Sequence, residues 1–445
     1  MRRRLAQRIG LVVGLTLSTF AVHVDSAATA GELTMDDAVR STLARNRDII
    51  AAKLQIDVAA TDVIAARMRP NPVASYSVGN LVLGRGNDQD KMLRPGFFDQ
   101  PVQSVGVSQV LDLWSKRQTR ADAAQLGVEV QQWLAADAIR TIVHAVRSAF
   151  IEVLREQAER ALAREVAQRY AATTKLSRAR FAAGDISEAE VRKVELEGIR
   201  YENAVIDADS QWDLARTQLA VLMGLPDAST IPDVLVDDAV LPPSVESRLA
   251  DTKSDAAPNL VALALSRRPD LHAAQSERTR AASQLTATRR EVYPDVSIAP
   301  TYTHSGFTAS GDNPNVLGIG LSLPLPVFDR NQANAARARV DIQRSENEQA
   351  RIDLVIHQEV ADATRRDRRA RQLVAIFEGG MLNRVEDALK TSERLYHAGA
   401  SSLLDFLEAQ RTYLETRGQY LRARHDLRQA SVDVAYVVAE GDGNR

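Results

Sequence analysis

The 445-residue sequence contains no cysteine. This absence excludes disulfide bonds, thiolate zinc sites, iron–sulfur clusters, cysteine nucleophiles and a lipid-modified N-terminal cysteine. Aromatic residues make up only 5% of the chain, which is little for a large compact core. Proline and glycine are sparse, at 15 and 22 residues, so long regular elements are expected. A formal net charge of −2 argues against nucleic acid as the main partner, because neutralising phosphates needs a basic excess.

The motifs of common enzymes are also missing. The sequence has no GxxxxGK[ST] phosphate loop, no GxSxG nucleophile elbow and no HExxH metal pair. Its seven histidines lie far apart, and isolated histidines are more often surface or core residues than metal ligands. We therefore expect no catalytic activity, no cofactor and no metal site.

The first thirty residues have the three parts of an export signal. Four arginines precede residue 9, residues 9–22 are apolar but too short to span a bilayer, and Ala28 and Ala30 suit signal peptidase. We expect a signal peptide over residues 1–30. No later segment reaches the ~18 consecutive apolar residues of a transmembrane helix.

The remaining chain repeats its pattern once. Asp48 matches Asp270 at an offset of 222, and Gly184 matches Gly399 at an offset of 215, in the same order along the chain. Such collinear matches predict two repeats. We place them at residues 31–224 and 258–445, joined by a proline- and acid-rich linker over residues 225–257.

Each repeat is predicted to contain two shorter helices, two strands and a very long helical hairpin. The first repeat has a helix from Thr34 to about residue 69 with a break near Asn46, strands over 73–83 and 102–111, and helices over 113–182 and 187–223. The second has helices over 258–267 and 270–292, strands over 296–307 and 315–325, and helices over 328–397 and 402–440. Such long helices cannot bury themselves in a globule of this size, so they must pack along one another as coiled coils.

The strands alternate apolar and small or polar residues, as in Leu317, Ile319 and Leu321 against Gly318 and Gly320. Ten residues of this pattern fit a tilted membrane-spanning strand, but equally a one-faced sheet packed on helices in water. Four strands cannot close a barrel, and open sheet edges in lipid leave backbone groups unpaired. Strands in a membrane would therefore require oligomerisation, and three chains would supply twelve strands.

The duplicated plan resembles the TolC family of outer membrane efflux proteins. The similar segments run through nearly the whole mature chain, at residues 33–38, 180–187, 321–332 and 396–399. Residues 108–117 and 326–332 look most like the heavy-metal, CzcC-like branch. Ser115 and Ala333 stand where that branch often has glycine.

The resemblance implies a mainly α fold with a membrane β-barrel contribution. In it, the long hairpins of a homotrimer form a periplasmic α-barrel, and four strands per chain complete a 12-stranded barrel in the outer membrane. It implies a passive exit duct that works with a periplasmic adaptor (a membrane fusion protein) and an inner membrane RND-type pump, exporting heavy-metal cations. Drug or solvent efflux and type I secretion are the alternatives within this class. A soluble periplasmic coiled-coil adaptor and an enzyme on a helical scaffold are more distant alternatives.

The resemblance also places a gate at the periplasmic tip, where Gly184 and Gly399 turn the two hairpins. The family has a tyrosine three positions before the second glycine, in a network that holds the tip shut, and here this residue is Tyr396. The basic partner in that network stands two positions after the glycine. Here that position is Ser401, which carries no positive charge.

Acidic residues narrow the tip in the family, six and nine positions after the second hairpin glycine. The corresponding residues are Asp405 and Glu408, and the first-repeat equivalent of Asp405 is Glu190. Helix capping is a sufficient explanation for Asp405 and Glu190, and the residues alone favour it, because Ser402 and Ser187 precede them by three residues. Glu408 is not needed for capping. A threefold ring of Asp405 and Glu408 would raise the pKa values of its own carboxyls and attract cations.

Overall fold

The computed structural model describes residues 33–79, 102–232, 256–305 and 313–440. The expected signal peptide lies outside these residues, as do linker residues 233–255 and the expected strand ends at 80–83 and 306–307.

Nine α-helices make up most of the described chain. They are α1 Met35–Arg45, α2 Arg47–Arg67, α3 Lys116–Ala182, α4 Glu188–Leu222, α5 Ala256–Arg267, α6 Pro269–Arg290, α7 Gln332–Ile376, α8 Leu382–His397 and α9 Leu403–Val437. Helix α1 begins with a capping box between Thr34 and Asp37. Asn46 ends α1 and caps α2, where its side chain accepts hydrogen bonds from the next backbone N–H groups, so the break falls where the sequence predicts it.

The two halves share one order of elements, with two short helices, two strands and then a long hairpin. The residues before α3 and α7 are also alike, because Ser115 and Asn331 both adopt left-handed backbone conformations, with φ of 55° and 58°. Helix α3 therefore begins at Lys116 rather than at residue 113. The side chain of Asp112 accepts hydrogen bonds from the first backbone N–H groups of α3.

The predicted unbroken helix over residues 328–397 is wrong. Helix α7 ends at Ile376, and a π-helical segment, Phe377–Met381, separates it from α8. Gly380 in this segment has φ of 112°, a value that side chains with a Cβ rarely adopt, so the regular helix is interrupted there. The equivalent helix of the first half, α3, is continuous over 67 residues, or about 100 Å.

The four strands form one antiparallel sheet in the order β1 Val73–Gly79, β2 Val102–Leu111, β3 Val296–Ser305 and β4 Asn315–Ser322. Its register aligns Tyr76, Val105, Tyr302 and Leu317 in one row across all four strands. These side chains are between 47% and 74% exposed. The sequence left two arrangements open, strands in a membrane or a sheet packed on helices. Among the described residues, the apolar face of the sheet is not packed on helices.

Burial within the described residues is divided among several small clusters rather than one core. One cluster joins α1, α3 and α4 around Phe150 and Trp212. A second joins α5, α7 and α9 around Ile356 and Val434. Two more lie along the second hairpin, around Tyr396 and Phe377. The hydrophobic contribution is therefore spread along helix seams.

Within the described segments, no helix combines the length and the hydrophobicity that a bilayer span requires.

Candidate gate at the hairpin tip

Both hairpins turn at a glycine in the left-handed conformation. Gly184 and Gly399 have φ of 84° and 72°. The Gly184 N–H donates to the carbonyl of Phe181, and the following N–H donates to that of Arg180, both at 2.9 Å. Gly399 ends α8 with the same pair of bonds. This is the Schellman motif, which satisfies the last carbonyls of a helix and requires a residue without a Cβ penalty.

Tyr396 joins three helices at the tip. Its side chain is only 2% exposed. Its hydroxyl lies 3.2 Å from the Ser177 hydroxyl of α3, and its ring stacks on Phe406 of α9 with centroids 5.4 Å apart. Val194 of α4 belongs to the same buried cluster. The tyrosine therefore fixes the second hairpin to the first.

Arg180 supplies the basic partner that the spacing around Gly399 did not. Its guanidinium carbon lies 5.2 Å from the centroid of the Tyr396 ring. One of its terminal nitrogens donates to the Tyr396 backbone carbonyl at 3.2 Å. The sequence placed the basic partner at Ser401, whereas the structure brings an arginine from the other hairpin to the same tyrosine. Both a cation–π contact and a hydrogen bond thus connect the two turns.

Asp405 and Glu190 occupy equivalent capping boxes. The Asp405 carboxylate accepts hydrogen bonds from the Ser402 N–H and hydroxyl and from the Ser401 hydroxyl. The Ser402 hydrogen bonds hold the pKa of the exposed Asp405 carboxyl below its ordinary value. Glu190 accepts from the N–H and hydroxyl of Ser187 in the same way. In the single chain the hydrogen bonds from Ser402 and Ser401 favour the ionised form of Asp405.

Glu408 is exposed and lies three residues after Asp405, so both carboxylates share one face of α9. Its side chain forms no hydrogen bond or ion pair with any residue in the described ranges. The first hairpin has Lys193 at the equivalent position. The first hairpin therefore lacks an equivalent of the Asp405 and Glu408 pair, and Glu190 has no described contact with Asp405 or Glu408.

Two histidine–carboxylate pairs hold α3 against α9 away from the tip, and sequence reasoning missed both. His144 lies 2.8 Å from Asp433, and His425 lies 3.1 Å from Glu152. Hydrogen bonds from His425 and Arg155 lower the pKa of Glu152 to about 2, and the same contact raises the pKa of His425. The partners are more than 270 residues apart, so spacing in the sequence carried no signal.

The described residues contain no group of three or more histidine or acidic side chains arranged to hold a metal ion. The tip therefore offers cations an exposed carboxylate face and no built coordination site.

Comparison with known proteins gives consistent similarities. A profile of the outer membrane efflux protein family matches residues 38–225 and 260–439. The cobalt-zinc-cadmium resistance protein CzcC of Cupriavidus metallidurans is 25% identical, over 97% of this chain and 98% of that protein. The pyoverdine export outer membrane protein OpmQ of Pseudomonas putida is 22% identical, over 90% of this chain and 84% of that protein.

Two solved structures share the fold. A membrane protein from Pseudomonas aeruginosa aligns with a TM-score of 0.75 at 21% identity, covering 92% of this chain and 91% of that one. A structure of CusC, described in terms of folding and transmembrane channel formation, aligns with a TM-score of 0.71 at 19% identity, covering 92% of both chains.

Proposed function

The chain belongs to the outer membrane efflux protein family, and from that premise we propose that it is the exit channel of a tripartite export system. The protein resides in the outer membrane and extends into the periplasm. Three copies contribute twelve strands to a membrane barrel, and their hairpins form an α-helical tunnel. A periplasmic adaptor and an inner membrane RND-type pump deliver the substrate, which then leaves passively.

The observation that carries this proposal is the uncovered apolar face of the sheet. Leu317, Ile319 and Leu321 of β4 are 74%, 71% and 70% exposed. Strands β1 and β4 are the edges of the sheet and have no further partner strand among the described residues. In lipid each unpaired backbone group costs several kcal/mol, which favours closure of the sheet by other chains.

The helices support the same assembly. Several large apolar side chains of α4 are 53–68% exposed, namely Leu196, Ile199, Ile206, Leu214 and Val221. If a second copy covered these side chains, the assembly would be stabilised by about 25 cal/mol for each Å² of apolar surface removed from water. Each chain is then two repeats, residues 31–224 and 258–445, linked by residues 225–257.

We assign the gate to the tip of the second hairpin. Gly184 and Gly399 turn the hairpins, and Tyr396 holds them together in the closed form. Asp405 and Glu408 face the narrow opening and concentrate cations there, because like charges on a threefold axis focus the electrostatic potential. Glu190 remains a weaker candidate, since its carboxylate already caps α4.

The proposed cargo is a heavy-metal cation. The resistance protein CzcC matches this chain almost end to end, and the gate carries carboxylates that suit divalent cations. Deletion of the chain from its native strain is expected to increase growth sensitivity to cobalt, zinc or cadmium. Plasmid-borne wild type should restore growth, and the double variant Asp405→Asn, Glu408→Gln should restore it only in part. Unchanged metal tolerance in the deletion strain would refute the proposal of a heavy-metal cargo. It would not contradict the proposed role as an exit channel.

A second candidate cargo is a small organic molecule, favoured by the similarity to the pyoverdine export protein. The same deletion strain distinguishes the two. Loss of a secreted siderophore from the medium, with unchanged metal tolerance, would favour this alternative.

A further inference from the structure

The apolar face of the sheet ends abruptly at the start of the second hairpin. Alternate residues from Leu317 to Val327 are apolar and exposed, and the stripe continues past the end of β4. Phe328, 92% exposed, is its last member. The next two residues, Asp329 and Arg330, are both charged. The boundary between apolar and polar surface therefore lies where the sheet meets the helices.

An aromatic pair lies at this boundary. Trp114 stacks on Tyr293 with ring centroids 4.9 Å apart, and its indole N–H donates to the Pro294 carbonyl at 3.1 Å. The two residues are 42% and 49% exposed. Tryptophan and tyrosine prefer the interface between lipid chains and water, because each combines an apolar ring with a polar group.

Four arginines surround the aromatic pair on the helical side. Arg67, Arg69, Arg289 and Arg330 are exposed, and their side chains form no hydrogen bond or ion pair with any residue in the described ranges. The nearby acids have other partners. Glu291 pairs with Lys116 and Arg120, and Asp295 pairs with Lys116. The carboxylates of Asp112 and Asp329 accept hydrogen bonds from backbone N–H groups, and these two acids are outnumbered by the four arginines. The boundary is therefore left with uncompensated positive charge.

Contacts between the elements place these arginines at one level. Arg117 of α3 donates to the Arg67 carbonyl at the end of α2. The Asn331 side chain donates to the Thr288 carbonyl, which joins the start of α7 to the end of α6. Arg290 donates to the carbonyl of Trp114. The ends of α2 and α6 and the starts of α3 and α7 thus meet around the aromatic pair.

We propose that this surface binds the phosphate groups of anionic phospholipids in the periplasmic leaflet of the outer membrane. We call it the basal belt and define it by Trp114, Tyr293, Arg67, Arg69, Arg289 and Arg330. Guanidinium groups pair with phosphate oxygens through two parallel N–H donors, and each basic residue near an anionic membrane adds to the attraction. A zwitterionic headgroup offers no net charge for this purpose. The inference rests on the proposed position of the sheet in the membrane.

Tryptophan quenching tests the belt, because Trp114 is one of only three tryptophans. The purified full-length protein in a nonionic detergent is titrated with phosphatidylglycerol that carries brominated acyl chains, and separately with brominated phosphatidylcholine. We expect quenching at lower concentrations of phosphatidylglycerol, and loss of this signal in Trp114→Phe. The variant R67Q/R69Q/R289Q/R330Q is expected to bind phosphatidylglycerol at least ~10-fold more weakly, since each arginine near the surface contributes a few-fold.

A matched control removes the same charge elsewhere. Arg47, Arg368, Arg369 and Arg384 are exposed and also lack a described side-chain partner, so R47Q/R368Q/R369Q/R384Q has an equal change in net charge. The control should retain the wild-type affinity for phosphatidylglycerol. If the fourfold belt variant does not fold, the double variant R69Q/R330Q should show a smaller loss in the same direction.

Three results would overturn the inference. They are equal affinity of the wild type for the two lipids, an equal loss of affinity in the control variant, and displacement of the brominated lipid by inorganic phosphate as effective as displacement by unbrominated phosphatidylglycerol at constant ionic strength. Single-channel conductance of the belt variant, which we expect to be unchanged, separates a failure of this inference from a failure of the proposed channel function.

Discussion

Replacing Arg180 should favour opening of the proposed gate. The arginine makes a cation–π contact with Tyr396 and a hydrogen bond to its backbone carbonyl. A half-buried cation–π contact contributes about 1 kcal/mol and the hydrogen bond about the same. Arg180→Ala should therefore weaken the contact between the hairpins by about 2 kcal/mol of free energy. If the open tip lacks both contacts, this loss lowers the ratio of closed to open tips roughly 30-fold.

Single-channel recording in planar bilayers measures this change. Arg180→Ala is expected to increase the open fraction or the conductance, whereas Arg180→Lys should be affected less because it keeps the charge. Arg178→Ala is the matched control, since Arg178 pairs with Glu195 inside the first hairpin. If both the open fraction and the conductance of Arg180→Ala equal those of the wild type, the assignment of a closing role is refuted, even if the variant is less stable to heat.

Three further predictions concern other parts of the hairpins. Neutralising Asp405 and Glu408 together as amides should reduce cation selectivity and divalent block in bilayer recordings, and unchanged reversal potentials would exclude the gate assignment. His425→Gln should lower the free energy of unfolding by about 1 kcal/mol. This loss should be largest between about pH 4.5, the ordinary pKa of Glu152, and about pH 6.5, the ordinary pKa of His425. The loss should become smaller as pH rises through the raised pKa of His425 or falls towards the lowered pKa of Glu152. Gln410→Leu should raise the free energy of unfolding, measured by denaturant titration, by about 1 kcal/mol, because the Gln410 carbonyl oxygen is buried without a described partner. A destabilised variant would show that this oxygen has a partner.

Local sequence signals predicted the hairpin turns and the starts of the return helices α4 and α9. Gly184 and Gly399 adopt the expected left-handed conformation, and the serine–acid pairs at Ser187 and Ser402 form the expected capping boxes. These features depend on residues only a few positions apart, so the sequence contains all the information that they need.

Contacts between the hairpins could not be predicted in this way. Arg180 and Tyr396 are 216 residues apart, and helical spacing within each hairpin says nothing about how the two hairpins align. The break at Gly380 was overlooked for another reason. The flanking residues are strong helix formers, and two adjacent glycines inside such a run do not reveal whether the chain tolerates them or bends.

The uncovered apolar row across the sheet has a consequence for how the protein is made. In the proposed assembly, a newly exported chain would carry this surface and two free strand edges through water before it reached the membrane and two further copies. Such edges are templates for pairing with any other extended chain, so aggregation competes with assembly during that passage. If the proposed trimer forms, delivery of the chain to the outer membrane has to be fast, or a periplasmic chaperone has to shield the strands until assembly.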